Sequence, residues 1–131
     1  MSNTQFSVSQ LSQLDSEQRY QYFVEQVAFN KEVWILSDDE GCVMLNTEDE
    51  ECVPVWPNQE TAQAWATGDW DQCEPQAIDL KSWQLRWTAG LEEDGFYVVV
   101  LPIETNEGTV VEPQELEANL RKEIKRLNKR K

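Results

Sequence analysis

The sequence contains no histidine. That absence removes Ser-His-Asp and Cys-His nucleophilic catalysis, imidazole acid–base chemistry and histidine-based metal sites. Glycine is scarce: Gly41, Gly68, Gly90, Gly95 and Gly108 are scattered, and none falls in a G-x-G-x-x-G or G-K-[ST] pattern. A loop that cradles nucleotide phosphates with closely spaced backbone N–H groups therefore has no support. The cysteines, Cys42, Cys52 and Cys73, are odd in number and form no C-x-x-C, which fits neither a disulfide framework nor a zinc ribbon. If residues 41–45 and 52–56 pair as neighbouring strands, Cys42 lies opposite Val55 and Cys52 opposite Leu45, so the two thiols do not meet. A reducing compartment is the expectation. No apolar run approaches the ~20 residues of a membrane span. Met1–Gln10 has neither the basic cluster nor the apolar run of a secretory signal, and a cytoplasmic location is expected.

Positive charge is nearly missing from most of the chain. The 131 residues carry 25 acids against 11 bases, a net charge of −14. Seven of those bases, with one acid, lie in residues 121–131, which hold +6, so residues 1–120 hold four bases, 24 acids and −20. A body at that charge repels phosphate at long range, which disfavours nucleic acid as its ligand but not a basic protein.

What is present reads as one small α+β domain, because 40% hydrophobic residues in a chain of this length suffice for one core. Tyr20, Phe23, Val24 and Val27 make an apolar stripe at helical spacing and predict a helix over 13–29, with Ser12–Asp15 or Asp15–Gln18 at its start. Val33–Leu36 and Cys42–Leu45 predict a hairpin around Asp38-Asp39-Glu40-Gly41, both strands inside a sheet because they are apolar on both faces. Cys52–Trp56 predicts a third strand, which Pro54 confines to an edge or bulge. Asn58 caps an expected helix over 59–67 that ends at Gly68. Residues 69–76 read as an irregular connection, followed by a helix over 80–89 with Asp79 at its cap and Gly90 at its stop. Phe96–Leu101 and Thr109–Val111 predict an antiparallel pair. Pro113 opens a last helix at the position where its missing N–H costs nothing. The expected order is α-β-β-β-α-α-β-β-α, an antiparallel-rich mixed sheet with helices packed on it. Residues 1–12 are expected to be a flexible lead, 13–120 the domain, and 121–131 a basic helix end.

Six tryptophans (Trp34, Trp56, Trp65, Trp70, Trp83 and Trp87) dominate the candidate residues. Large rings fill the core of a small domain, and the helical spacing of Trp83 and Trp87 points there. Trp56-Pro57 and Trp70 lie at element ends, where partial exposure would make them anchors for a partner. The acidic turn Asp38, Asp39, Glu40 is a second candidate contact. Neither it nor Glu48–Glu51 has the D-x-D-x-D-G spacing that wraps calcium, so no metal and no cofactor is expected. The basic end, Arg121, Lys122, Lys125 and Arg126, complements the dipole of the last helix, and Glu117 precedes Arg121 by four residues.

One order of motifs resembles a known family. Val33-Trp34 with Leu36, Pro54-Val55-Trp56-Pro57, Trp70 before Pro75, Ile78-Asp79-Leu80, Trp83, Trp87, Gly90-Leu91, Asp94-Gly95 and Pro102 look like the small bacterial proteins of domain of unknown function 2750. The likeness runs from about Tyr20 to Leu120. It implies a bacterial cytosolic stand-alone domain and supplies no activity, cofactor or catalytic residue. The basic extension after Leu120 departs from it. At the level of fold alone, the strand marked by tryptophan and proline before an alanine-bearing helix is similar to the N-terminal domain of SseB-type secretion-associated proteins.

The function expected from the sequence is a non-enzymatic, acidic interaction module whose partner is a basic protein, as in immunity-type or secretion-associated binding proteins. Two alternatives stand beside it. One is a small-molecule or enzymatic pocket lined by tryptophans with carboxylates as acid–base groups. The other is a polyanion contact through the basic C-terminal helix.

Overall fold

The computed structural model describes residues 8–38, 41–42, 45–46, 51–66, 72–102 and 108–129. A short helix α1 (Val8–Leu11) leads into α2 (Ser16–Asn30). Asp15 accepts from the Gln18 N–H at 2.8 Å, and Gln18 Oε1 accepts from the Asp15 N–H at 3.0 Å. This reciprocal pair, one of the two caps anticipated, satisfies donors that the first helical turn leaves open. Arg19 is buried and donates to the carbonyls of Leu11 and Leu14 at the end of α1. Leu11 is itself fully buried, so the core begins before residue 12, inside the expected flexible lead.

Among the described residues, seven strands form two sheets. β1 (Glu32–Asp38) is central in the first, between β2 (Gly41–Cys42) and β5 (Glu74–Asp79), both antiparallel to it. Its Val33, Ile35 and Leu36 are buried on both faces, as the sequence required of an inner strand. The second sheet runs β3 (Leu45–Asn46), β4 (Glu51–Val55), β6 (Tyr97–Val100), β7 (Thr109–Val111), with β4 and β6 parallel and the outer pairs antiparallel. Trp34 and Trp56 join the two sheets by exchanging two backbone hydrogen bonds of 2.9 Å. The class is α+β with helices packed on antiparallel-rich sheets, and what was read as one sheet is two.

Three sequence readings change. The run Cys42–Leu45 is divided: Cys42 faces Ser37 on β1, while Leu45 faces Cys52 on β4, so both pieces are edges. The expected Leu45–Cys52 pairing holds, and the expected Cys42–Val55 pairing does not. β4 is an inner strand despite Pro54. Its N–H groups alternate sides, so Pro54 would donate to the same side as Trp56, away from β6. On that side the described pairings are those of Cys52 with Leu45 and of Trp56 with Trp34, on either side of the proline. Finally, β5 occupies residues read as irregular.

α3 (Gln59–Trp65) starts on Asn58, whose side chain accepts from the Thr61 N–H at 2.9 Å, and closes at Ala66. The next helical run does not stop at Gly90. It passes through α4 (Leu80–Ser82), a π-helical segment (Trp83–Trp87) and α5 (Thr88–Asp94) to Gly95, which takes φ +76° and returns its N–H to the carbonyls of Leu91 and Glu92. α6 (Pro113–Lys129) opens on proline as expected and packs against α2 and α5. It runs unbroken across residue 121, so the basic end is a change of charge within one helix. No helix among the described residues is long and apolar enough to cross a membrane.

Candidate functional site

Trp56 and Pro57, two of the proposed surface anchors, are buried. Trp56 is 0% exposed, and its indole Nε1 donates to the Pro102 carbonyl at 2.9 Å. Its ring lies 5.4 Å from that of Trp65. Pro57 is buried beside it. The Trp56-Pro57 step ends a strand, but the bridge to Trp34 pulls it between the sheets, which corrects the expectation of an exposed pair. Trp70, Asp39 and Glu40 lie outside the described residues. Asp38 is exposed at the end of β1, opposite Gly41.

Trp83 and Trp87 stack at 5.6 Å with an interplanar angle of 13°. The π segment between them closes through Thr88, whose N–H and Oγ–H both reach the Trp83 carbonyl, the latter at 3.2 Å. A π segment carries an extra residue per turn, and this one turns Leu85 to solvent, 70% exposed. It also separates two concavities. On one side Val53, Trp87, Gly90 and Phe96 line a shallow groove of about 300 Å³ with Arg86 and Asp94 beside it.

On the other side is a cleft of about 530 Å³ between the end of α2, the start of α4 and the last turns of α6. Phe29, Leu80, Ile124 and Leu127 give it apolar walls, and Lys31, Asp79, Lys81 and Gln84 supply polar groups. Each is placed by local structure. Lys31 closes α2 in the left-handed region at φ 62°, and its carbonyl accepts from the Leu80 N–H at 2.9 Å, tying the α2 end to the α4 start. Asp79 caps α4 by accepting from the Lys81 N–H at 3.1 Å. Gln84 Nε2 donates at 3.1 Å to Glu117, a carboxylate buried on α6, which fixes the amide at the wall. The sequence reading missed this group. Its available signal was that Lys31 and Lys81 are two of only four bases before residue 121.

The basic residues of α6 are divided by partner. Arg121 pairs with Glu117 and Arg126 with Glu123, both carboxylates buried at 5% and 6% exposure. The Glu123 hydrogen bond, and then its charge, hold the Arg126 guanidinium protonated to still higher pH than usual. Lys122, Lys125 and Lys129 line a second groove, of about 520 Å³, against Gln21 and Val24 of α2. Among the described residues, no cluster of three or more Cys, Asp or Glu side chains is arranged to hold a metal ion. Cys52 and Cys73 are buried.

A family model described as "Protein of unknown function (DUF2750)" matches residues 20–120, from the Tyr20 turn of α2 to Leu120 in α6. None of the curated proteins compared with the chain matches it.

Proposed function

The chain belongs to the DUF2750 family, and from that premise we propose that it is a non-enzymatic, acidic interaction module of the bacterial cytosol whose partner is a basic protein. One observation carries the reading. The ion pairs seen among the described residues, Arg121 with Glu117 and Arg126 with Glu123, lie within α6. The 24 acids of residues 1–120 face four bases in the same stretch, so most of their charge has no cation of the body to offset it. Of those four bases, Arg19 is buried and spent on two backbone carbonyls. Uncompensated charge of one sign projects a field about a Debye length into solvent, near 8 Å at physiological salt. Such a field raises the encounter rate with a partner of opposite sign and repels one of the same sign. Immunity-type and secretion-associated binding proteins can work by this physics. The burial of Trp56 and Pro57 removes them as anchors.

The test is capture of partners by the tagged full-length protein at about 50 mM and about 200 mM salt. The expected result is a stoichiometric partner of net positive charge, whose measured association rate falls as salt rises. Recovery of no specific partner in either buffer, or of a partner whose association ignores salt, would count against the reading.

A further inference from the structure

The cleft between α2, α4 and α6 has an electrostatic setting unlike the rest of the molecule. Residues 1–120 carry four bases and −20, yet two of those four, Lys31 and Lys81, line this cleft. Neither has an ion-pair partner among the described residues. The opposite wall, with Ile124 and Leu127, belongs to the segment 121–131, which carries +6. One acid, Asp79, also lines the cleft, with its carboxylate on the Lys81 N–H. The cleft is thus placed where the body's rare cations meet its basic helix end.

Lys31 adds a second, independent observation. It holds φ 62° at the end of α2, a position that glycine occupies without strain and that costs an ordinary L-residue about 1 kcal/mol. A strained backbone position at the rim of a cavity is a motive for asking what its side chain does there. Phe29, Leu80, Ile124 and Leu127 supply the apolar part of the walls, and Phe29 is left 49% exposed. At about 530 Å³ the cleft is in the range of small-molecule sites, roughly 300–1,000 Å³.

We infer that this cleft binds a small amphipathic carboxylate, with its hydrocarbon part against Phe29, Leu80, Ile124 and Leu127 and its anionic head between Lys31 and Lys81. The head gains charge-assisted hydrogen bonds from the two ammonium groups. The chain gains burial against surface that is now wet. Gln84, fixed by Glu117, is positioned to discriminate the polar end. The site is separate from the acidic exterior and does not depend on a protein partner.

Isothermal titration of the full-length protein with decanoate, below its micelle concentration, tests the inference, with decanol and decyltrimethylammonium as neutral and cationic controls. Saturable one-to-one binding of decanoate is expected, with each control at least about tenfold weaker, the ratio that one charged hydrogen bond gives. Lys31→Gly and Lys81→Met should each weaken decanoate about tenfold, and Asp79→Asn, which retains a capping side chain, should strengthen it. Lys31→Gly relieves backbone strain, so its melting temperature should equal or exceed the wild type, and lost binding there is not lost folding. The inference fails if decanoate does not saturate, if the cationic control binds as well, or if both lysine variants bind unchanged. It also fails if a short DNA duplex displaces decanoate, because the lysines then serve a polyanion surface.

Discussion

Tyr20 on α2 and Asn119 on α6 meet where the two helices pack, and the Asn119 amide donates to the Tyr20 hydroxyl at 2.6 Å. Burial lifts the phenol above its ordinary pKa of 10.0; the Asn119 hydrogen bond, which favours phenolate, pulls it back, and the Glu115 charge raises it again. The native state thus keeps this proton to higher pH than the unfolded chain does. Its contribution to stability is whole below the unfolded-state value and is lost as pH rises through the folded-state value. The urea midpoint of the wild type should therefore fall more steeply than that of Tyr20→Phe above about pH 10. Parallel curves for the two proteins would show that the phenol is not coupled to folding. Trp56 illustrates the other side of residue-scale reasoning. Its type and its place at a strand end suggested exposure, whereas its N–H found a carbonyl 46 residues away, which no local pattern encodes.

At the scale of elements, two glycines separate local propensity from packing. Gly90 lies inside α5 with helical geometry, and a Cβ built there meets nothing within 4 Å. Its cost is the backbone freedom it loses in a helix, and Gly90→Ala should stabilise by about 0.5–1 kcal/mol. Gly108 enters β7 at φ +86°, and a Cβ there would lie 2.8 Å from the Val100 carbonyl and from Val99 Cγ1, and 3.1 Å from the Pro102 nitrogen. Two of those neighbours are backbone and cannot swing aside, so Gly108→Ala should destabilise by about 2–4 kcal/mol. Urea denaturation of the two variants should give shifts of opposite sign, and shifts of the same sign would refute this account. The same contrast explains why the helix was expected to end at Gly90: glycine is a stop signal when it can turn left-handed. Leu91 and Thr88 are buried on the same run, and their packing carries the helix on to Gly95.

For the molecule as a whole, like charges within the body oppose the compact state. Added monovalent salt screens them, and the melting temperature should rise between about 20 mM and 300 mM sodium chloride. A melting temperature that is flat or falls with salt would mean that the acids lie far enough apart, or near enough to cations, to be neutral toward folding. The separation of sign along the chain becomes a separation in space only at α6. Its C-terminal turns set Lys122, Lys125 and Lys129 against Gln21 and Val24 of α2, and place Ile124 and Leu127 in the cleft that Lys31 and Lys81 line. The proposed interaction face and the inferred carboxylate cleft are thus opposite consequences of the same charge distribution.

The sequence by itself determined what rests on neighbours along the chain. The Asp15–Gln18 capping box, the Asn58 cap, Pro113 at the start of α6, the buried stripes of α2 and β1, the α+β class and the uneven charge all follow from spacing and residue type. The tertiary structure decided what rests on partners far apart in sequence. β5 has one buried residue, Ile78, among exposed neighbours, and it is a strand because six of its residues pair with β1. Pro54 sits in an inner strand because its missing donor points away from β6, the neighbour it is registered against. Trp56 is buried because Trp34 and Pro102 receive it. Lys31 and Lys81 share a cleft because one backbone hydrogen bond joins the helix ends that carry them. Local pattern reports which groups must be satisfied; only the fold supplies the distant groups that satisfy them.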